Sequence, residues 1–272
     1  MQGFALLMPM FESWYAAIQE RAVMGTLGFW ENLYKEVYIN FLYQERYLNY
    51  LRGLWLTLEV TFFAALLGFA LGLVLAMLRV QAVQSPDGRG RRASSAVMRF
   101  LSWLAGKYIN IIRGTPMLLQ ILIINFGIMA AVKNKTLIGI VACGINSAAY
   151  VAEILRGGIL SVDKGQIEAG RSLGLSRMQT MVMIVFPQAL KSALPSLCNE
   201  FIALLKETSI LAYIALSDLT KAADYIRSRT YSPFMPYIIS GLMYLTVVTI
   251  LTKAVGVLER RLRQSDAGNE AR

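Results

Sequence analysis

Leu54–Leu78 reads LWLTLEVTFFAALLGFALGLVLAML, and Glu59 is its only charged residue. A bilayer core about 30 Å thick takes about 20 residues of helix to cross, so this stretch predicts a membrane span. Four further apolar stretches follow at Pro116–Val132, Leu137–Leu155, Ala193–Ile214 and Phe234–Val257. The whole chain agrees: of 272 residues, 56% are hydrophobic and only 16% charged. Mean hydropathy is +0.49. Soluble chains carry closer to a quarter charged residues. The expected fold class is therefore all-α, a polytopic integral membrane protein of about five transmembrane helices.

Several chemistries are excluded at once. The chain has no histidine, so histidine acid–base catalysis, Ser-His-Asp triads and histidine metal ligands are absent. Cys143 and Cys198 both fall in apolar stretches and read as small buried hydrophobes. A phosphate-binding G-x-x-x-x-G-K-[ST] loop is missing: Gly106-Lys107 is followed by Tyr108, and Leu101 stands where the first glycine belongs. Any ATP hydrolysis then comes from a partner, and no cofactor is expected on this chain.

The net charge of +10 has a topological reading. Segments 79–115, 156–192 and 258–272, with Lys253, hold 17 of the 27 Lys and Arg residues. Nine lie on the other side, and Lys206 falls inside the fourth span. The basic side is the cytoplasmic one, which puts the N-terminus outside and the C-terminus inside. Nucleic acid is not an expected partner; membrane lipid is.

Ahead of the first span, Met1–Phe11 is apolar but too short to cross, and it lacks a basic leader and a cleavage site. Tyr38, Phe41, Leu42, Leu48 and Leu51 share a helical face beside Glu45, Arg46 and Asn49. This predicts a helix lying in the outer interface, with Trp14 and Trp30 as anchors. Residues 1–53 thus form an extracytoplasmic or interfacial region. Gln84–Ser95 reads as a loop. Gly68 and Gly72, four apart in the first span, permit close packing of another helix, within this chain rather than in a dimer seam. Pro195 and a polar second half predict a kink or interruption in the fourth span. Glu59 reads as a solvated or paired residue near a helix start.

Between the third and fourth spans lies SVDKGQIEAGRSLGLSRMQTMVMIVFP, residues 161–187. It predicts two short helices. Ser161 caps the first. Gly174 ends it in the left-handed conformation. Ser176 caps the second, and Pro187 stops it. Ala169 and Gly170 make a flat small-residue face where a bulky group can dock.

Glu168-Ala169-Gly170, Gly174, Ile184 and Pro187 resemble the EAA loop of ABC-importer permeases, E-A-A-x-x-x-G followed by I-x-L-P. Gly170 replaces an alanine and Phe186 a leucine. The flanks are similar to the polar amino-acid branch: Arg113-Gly114-Thr115-Pro116 with Gln120, Asn146-Ser147-Ala148-Ala149-Tyr150 with Glu153 and Arg156, Gly165-Gln166, and Lys206-Glu207-Thr208-Ser209. The resemblance covers residues 54–257 as a permease domain of the type I ABC importer kind, followed by a cytoplasmic tail at 258–272. It says nothing of the first 35 or so residues. It implies that Glu168, Ala169, Gly170, Gly174, Leu175 and Pro187 couple the chain to two ATP-binding-cassette subunits. It also implies a second permease subunit, identical or homologous, an extracytoplasmic substrate-binding protein, and a bacterial inner membrane.

The polar residues inside the spans suggest a path for a polar solute. A charge at mid-bilayer is unfavourable by about 2.5–3.5 kcal/mol, so Lys206 faces protein or water. Lys206, Thr208, Ser209, Asn146, Ser147 and Gln120 are the path candidates. The bland alternative is helix–helix hydrogen bonding, with Lys206 bridged to Glu200 or Glu153. Glu153 and Arg156, at the cytoplasmic end of the third span, read either as a gate or anchor for the loop or as a plain interfacial pair. The expected function is the permease of an ATP-driven amino-acid importer, not an enzyme. The alternatives are a secondary transporter or channel working without an ATPase, and a membrane scaffold.

Overall fold

A computed structural model describes residues 2–83 and 92–270. Residues 84–91, most of the expected loop after the first span, lie outside the described residues. Among the described residues there is no strand. In chain order the helices are α1 (Gln2–Val23), α2 (Phe29–Val37), α3 (Tyr47–Val83), α4 (Arg92–Arg113), α5 (Met117–Ile123), α6 (Lys135–Leu160), α7 (Lys164–Ser172), α8 (Arg177–Thr180), α9 (Phe186–Glu207), α10 (Leu219–Thr230) and α11 (Met235–Glu270).

Among the described residues, four helices are long and apolar enough to cross a membrane: Tyr47–Val80, Lys135–Leu160, Arg177–Ile214 and Met235–Leu262. A fifth candidate is a bent pair, Ala96–Arg113 with Met117–Ile128, folded by 108°. This corrects the expected straight span over Pro116–Val132. The part after the bend is too short to cross alone at 1.5 Å per residue. Arg113-Gly114-Thr115-Pro116 makes the bend. Pro116 disfavours a helical residue before it and begins α5. The Gln120 side chain closes the corner, donating to the carbonyls of Ile112 (2.8 Å) and Thr115 (3.1 Å).

The chain divides into two compact units, Met1–Thr57 with Ser217–Thr246, and Leu58–Leu216 with Val247–Arg272. In the first unit, Tyr50, Leu219, Ala223 and Ile226 form the core. Gly53 lets α3 meet the start of α10: a Cβ there would stand 2.7 Å from the Asp218 carbonyl oxygen. The Thr57 hydroxyl accepts from the Leu219 N–H at 3.2 Å. The expected single interfacial helix over Tyr38–Leu51 is not what forms. Tyr38–Leu42 is a π turn, and the chain reverses through Gln44 and Glu45, both left-handed at φ 53° and 55°. Leu48 and Leu51 belong to α3 instead. Tyr38 and Leu42 are buried. Buried Asn40 donates to the Glu36 carbonyl and carboxylate and accepts from Thr230 at 2.8 Å. That network ties the turn to α10.

In the second unit, α6 is the central helix and packs most extensively against α9. Gly68 and Gly72 press α3 against α6: a Cβ at Gly72 would lie 2.7 Å from Val151 Cγ1 and 2.9 Å from the Ala148 carbonyl. The G-x-x-x-G pair thus packs within the chain, as expected. Glu59 sits well inside α3, which starts at Tyr47, so it is not a helix-start residue. Pro195 lies inside α9, and the fourth span changes character at Thr208, where a 3-10 helix (Thr208–Ile214) takes over.

Candidate functional site

The loop between α6 and α9 is the first site. Asp163, not Ser161, caps α7: its side chain accepts from the Gly165 N–H. Ser161 instead terminates α6, and its hydroxyl donates to the Gly158 carbonyl at 2.8 Å. The difference is one of register, because α6 runs to Leu160, beyond the apolar stretch that marked its end. Gly174 has φ +83°, as expected, and completes a six-residue C-terminal turn. Its N–H donates to Arg171 O (3.1 Å), and Leu175 N–H to Gly170 O (3.2 Å). Arg171 locks the turn from outside through Nη1 to the Leu175 carbonyl, 2.7 Å. Ser176 caps α8 in a reciprocal box with Gln179.

Two expectations about this loop change. Gly170 does not present an outward docking face. It is buried, and a Cβ there would meet Ile184 Cδ1 at 2.8 Å and Thr180 Cγ2 at 3.0 Å. Its smallness lets α7 close on the chain after α8. Nor does Pro187 stop the helix. It falls in the first turn of α9. The widened π turn Met181–Val185 just ahead of it absorbs the missing N–H and the ring. Gln188 Nε2 meanwhile donates to the Ile184 carbonyl at 3.0 Å. Loop and fourth span are thereby one continuous helical rod, Arg177–Ile214.

The loop is rooted in an apolar cluster of Val80, Ile159, Met181, Val185 and Ala189, with Val162 and Ile167 packed on it. Around it is a concavity of about 490 Å³ whose lining includes Lys164, Glu168, Arg171 and Arg177. Glu168 and Ala169 are exposed. Leu173 is 81% exposed and Met178 58%. These two apolar side chains on a polar loop escaped the sequence reading. The signal was available: a leucine immediately before a helix-ending glycine, with only the small Ala169 at helical spacing before it.

The second group lies in the spans. Asn146 Nδ2 on α6 donates to Gln120 Oε1 on α5 at 2.9 Å, both side chains being buried. One residue on, the Ser147 hydroxyl donates to Glu200 on α9 at 2.8 Å. So α6 hydrogen-bonds to two of its neighbours, α5 and α9, through adjacent residues. Tyr108 of α4 donates its hydroxyl to the Ile145 carbonyl. Lys135 Nζ reaches Asn125 Oδ1 at 2.7 Å, beyond the bend.

Lys206 does not bridge to Glu200 or Glu153. Glu200 faces Ser147, Glu153 pairs with Arg156, and Lys206 is exposed at the end of α9. Thr208 is fully buried and caps its own helix end, donating to Leu205 O at 2.7 Å. Ser209 is half-buried at the start of the 3-10 turn. The structure therefore joins Gln120 to Asn146 and, one residue on, Ser147 to Glu200, while Thr208 bonds back within its own helix end. Glu153 and Arg156 form an i,i+3 pair on α6, Oε2 to Nη2 at 2.7 Å. No group of three or more acidic or cysteine side chains able to hold a metal occurs among the described residues.

Known proteins are similar to this chain in sequence and in fold. The profile of the family described as "Binding-protein-dependent transport system inner membrane component" matches residues 92–264. The arginine transport system permease protein ArtQ of Bacillus subtilis (strain 168) is 36% identical over 219 residues, 79% of this chain and 93% of ArtQ. The putative glutamine transport system permease protein GlnP of Rickettsia typhi is 32% identical over 215 residues, 78% of this chain and 92% of GlnP. A crystal structure of an amino acid ABC transporter with histidines matches with a TM-score of 0.68 at 40% identity, covering 78% of this chain and 94% of that one. The chain is a multi-pass permease subunit and belongs to the family of binding-protein-dependent transport system inner membrane components.

Proposed function

We propose that this chain is the membrane half of an ATP-driven importer that carries a polar amino acid across a bacterial inner membrane by alternating access. The observation that carries the coupling part is the capped hairpin Lys164–Thr180, continuous with the helix through Ile214. A rigid lever of this kind passes motion at its tip directly into a span. One of two ATP-binding-cassette subunits grips the tip, where Glu168, Ala169, Leu173 and Met178 are exposed, and the other grips the second permease subunit. Gly170, Gly174, Leu175 and Pro187 serve by shaping the lever. Nucleotide binding closes the ATPases, and the rods swing between two packings.

In this reading the hairpin side is cytoplasmic, following the excess of Lys and Arg there, and the N-terminus is outside. A second permease subunit completes the path, and an extracytoplasmic binding protein delivers the solute. Lys206 and Ser209 line the way, buried Gln120, Asn146, Ser147 and Thr208 shape it from behind, and Glu153 with Arg156 anchors the inner end of α6. The names of the relatives support an amino acid as cargo: arginine for ArtQ, glutamine for GlnP. The test is uptake of labelled amino acids into vesicles holding the purified complex. ATP-dependent uptake lost with Glu168→Lys is expected. Uphill uptake by this chain without an ATPase contradicts the proposal.

A further inference from the structure

The N-terminal segment, which neither the family profile nor the proposed transport path uses, carries a groove of its own. A cavity of about 510 Å³ is lined by Met10, Trp14, Tyr34, Val37, Tyr38 and Leu42. Among the described residues no charged side chain lines it, and the volume falls in the usual range of about 300–1,000 Å³ for small-molecule pockets. The walls are built, not incidental. Arg21 and Glu31 pair through two parallel bonds, 2.7 and 2.9 Å, and fix α1 against α2. Glu31 also caps α2 through the Gly28 N–H at 3.0 Å. The floor, Tyr38 and Leu42, sits in the π turn, which the buried Asn40–Thr230 bond secures.

We infer that this groove holds one acyl chain of a phospholipid from the surrounding bilayer. The groove lies on the stretch of chain that leads into the first candidate membrane-crossing helix. An aromatic series leads from it towards α3: Trp14 meets Tyr34 (6.4 Å), Tyr15 meets Tyr38 (5.2 Å), and Tyr38 meets Tyr43 (6.1 Å). Arg46 lies over the Tyr43 ring, 5.2 Å from its centre, just before the membrane-crossing helix begins at Tyr47. There Leu51 and Trp55 are 50% and 71% exposed, as lipid-facing side chains are. Tryptophan and tyrosine concentrate at the membrane–water boundary because each has an apolar body and one polar atom. Phe29 and Trp30, 75% and 67% exposed on α2, extend the same apolar surface. An aqueous groove so lined would expose an apolar patch that soluble surfaces avoid. A chain of lipid removes it from water and leaves the headgroup at the level of Arg46.

The four tryptophans, Trp14, Trp30, Trp55 and Trp103, make the test direct. The full-length chain bearing W30F, W55F and W103F reports from Trp14 alone. In nanodiscs of phosphatidylcholine brominated along its acyl chains, Trp14 emission is expected to be lost relative to unbrominated lipid, with little quenching by aqueous iodide. Val37→Phe fills the groove and is expected to restore the emission. Iodide quenching without bromine quenching overturns the inference. So does shielding from both quenchers together with disulfide formation between copies carrying Val37→Cys, which would make the occupant a second copy. A second measurement needs no substitution in the groove: native mass spectrometry of the detergent-purified wild-type chain is expected to retain phospholipid that truncation of residues 1–36 removes. Equal retention by both forms overturns the inference even if the Val37→Phe variant fails to fold.

Discussion

Replacing Gly174 separates the shape of the hairpin from its chemistry. At φ +83° a non-glycine residue is strained by about 1–2 kcal/mol. Alanine at 174 meets no neighbour, since nothing lies within 4 Å of its Cβ position, so its whole effect is that strain. Proline is a different case. Its ring holds φ near −65°, far from the required +83°, and it has no N–H to give Arg171. The turn is then lost, and the Leu175 N–H bond to Gly170 goes with it. Two hydrogen bonds at about 1 kcal/mol each, with the broken turn, total about 3 kcal/mol or more. Tenfold per 1.4 kcal/mol makes the open loop roughly 100-fold more populated. The damage stays local because the cluster under the loop does not include residue 174. ATP-driven uptake in reconstituted vesicles is expected to fall to background for Gly174→Pro. Gly174→Asn, a residue that tolerates the left-handed region, is expected to stay near wild type, and Gly174→Ala to lie between. Membrane insertion, read by protease protection, is unchanged in all three. Full uptake by the proline variant, or equal loss in all three, refutes the reasoning.

Gly72→Leu drives a side chain into Val151 and the Ala148 carbonyl, so destabilisation of about 1–3 kcal/mol and a lower melting temperature in detergent are expected; an unchanged melt contradicts the α3–α6 contact. Asp218 caps α10 through Oδ1 to Lys221 N at 2.8 Å, while buried Oδ2 has no hydrogen-bond partner. Burial pushes its carboxyl up to about 6 from an ordinary 3.8. With the folded value raised, its stabilisation is complete below about pH 4 and disappears as pH rises through 6, on the order of 3 kcal/mol for about two units. Asp218→Asn keeps the cap, and its melting temperature is expected to lose that dependence between pH 4 and 7; a retained slope removes Asp218 as its source. Asn146→Leu strands the Gln120 carbonyl oxygen in a buried site, which is unfavourable by about 1–3 kcal/mol, and is expected to slow uptake while leaving ATPase co-purification intact. Lys206→Ala is expected to impair uptake with ATPase association unchanged; normal affinity and rate would take Lys206 off the path.

The membrane class was legible because several apolar runs, each as long as a bilayer core is thick, suit a lipid solvent and not water. The loop was legible because Gly174 and Ser176 announce their own backbone geometry. What escaped were features set by irregular turns, shifts of register and packing between elements. Pro187 read as a stop because the rule for proline concerns a regular helix, and the π turn ahead of it evades that rule. Gly170 read as an outward face because Ile184 and Thr180, the residues it makes room for, come later in the chain. Ser161 read as a cap because one longer turn of α6 shifts the register to Asp163. The bend at Arg113–Pro116 was visible as a turn signal, but its 108° angle rests on Gln120 reaching back to Ile112. Lys206 read as needing a carboxylate; Glu200 is engaged with Ser147, and the exposed ammonium remains at the helix end.

The central claim is that the hairpin around Glu168 is held by an ATPase that drives this chain. A cysteine placed at Glu168 in an otherwise cysteine-free complex, with Cys143 and Cys198 replaced, tests it most directly by crosslinking in vesicles. The account predicts an adduct with the ATP-binding subunit, with uptake stopped when the bond forms and restored on reduction. Absence of that adduct while ATP-driven uptake proceeds would contradict it.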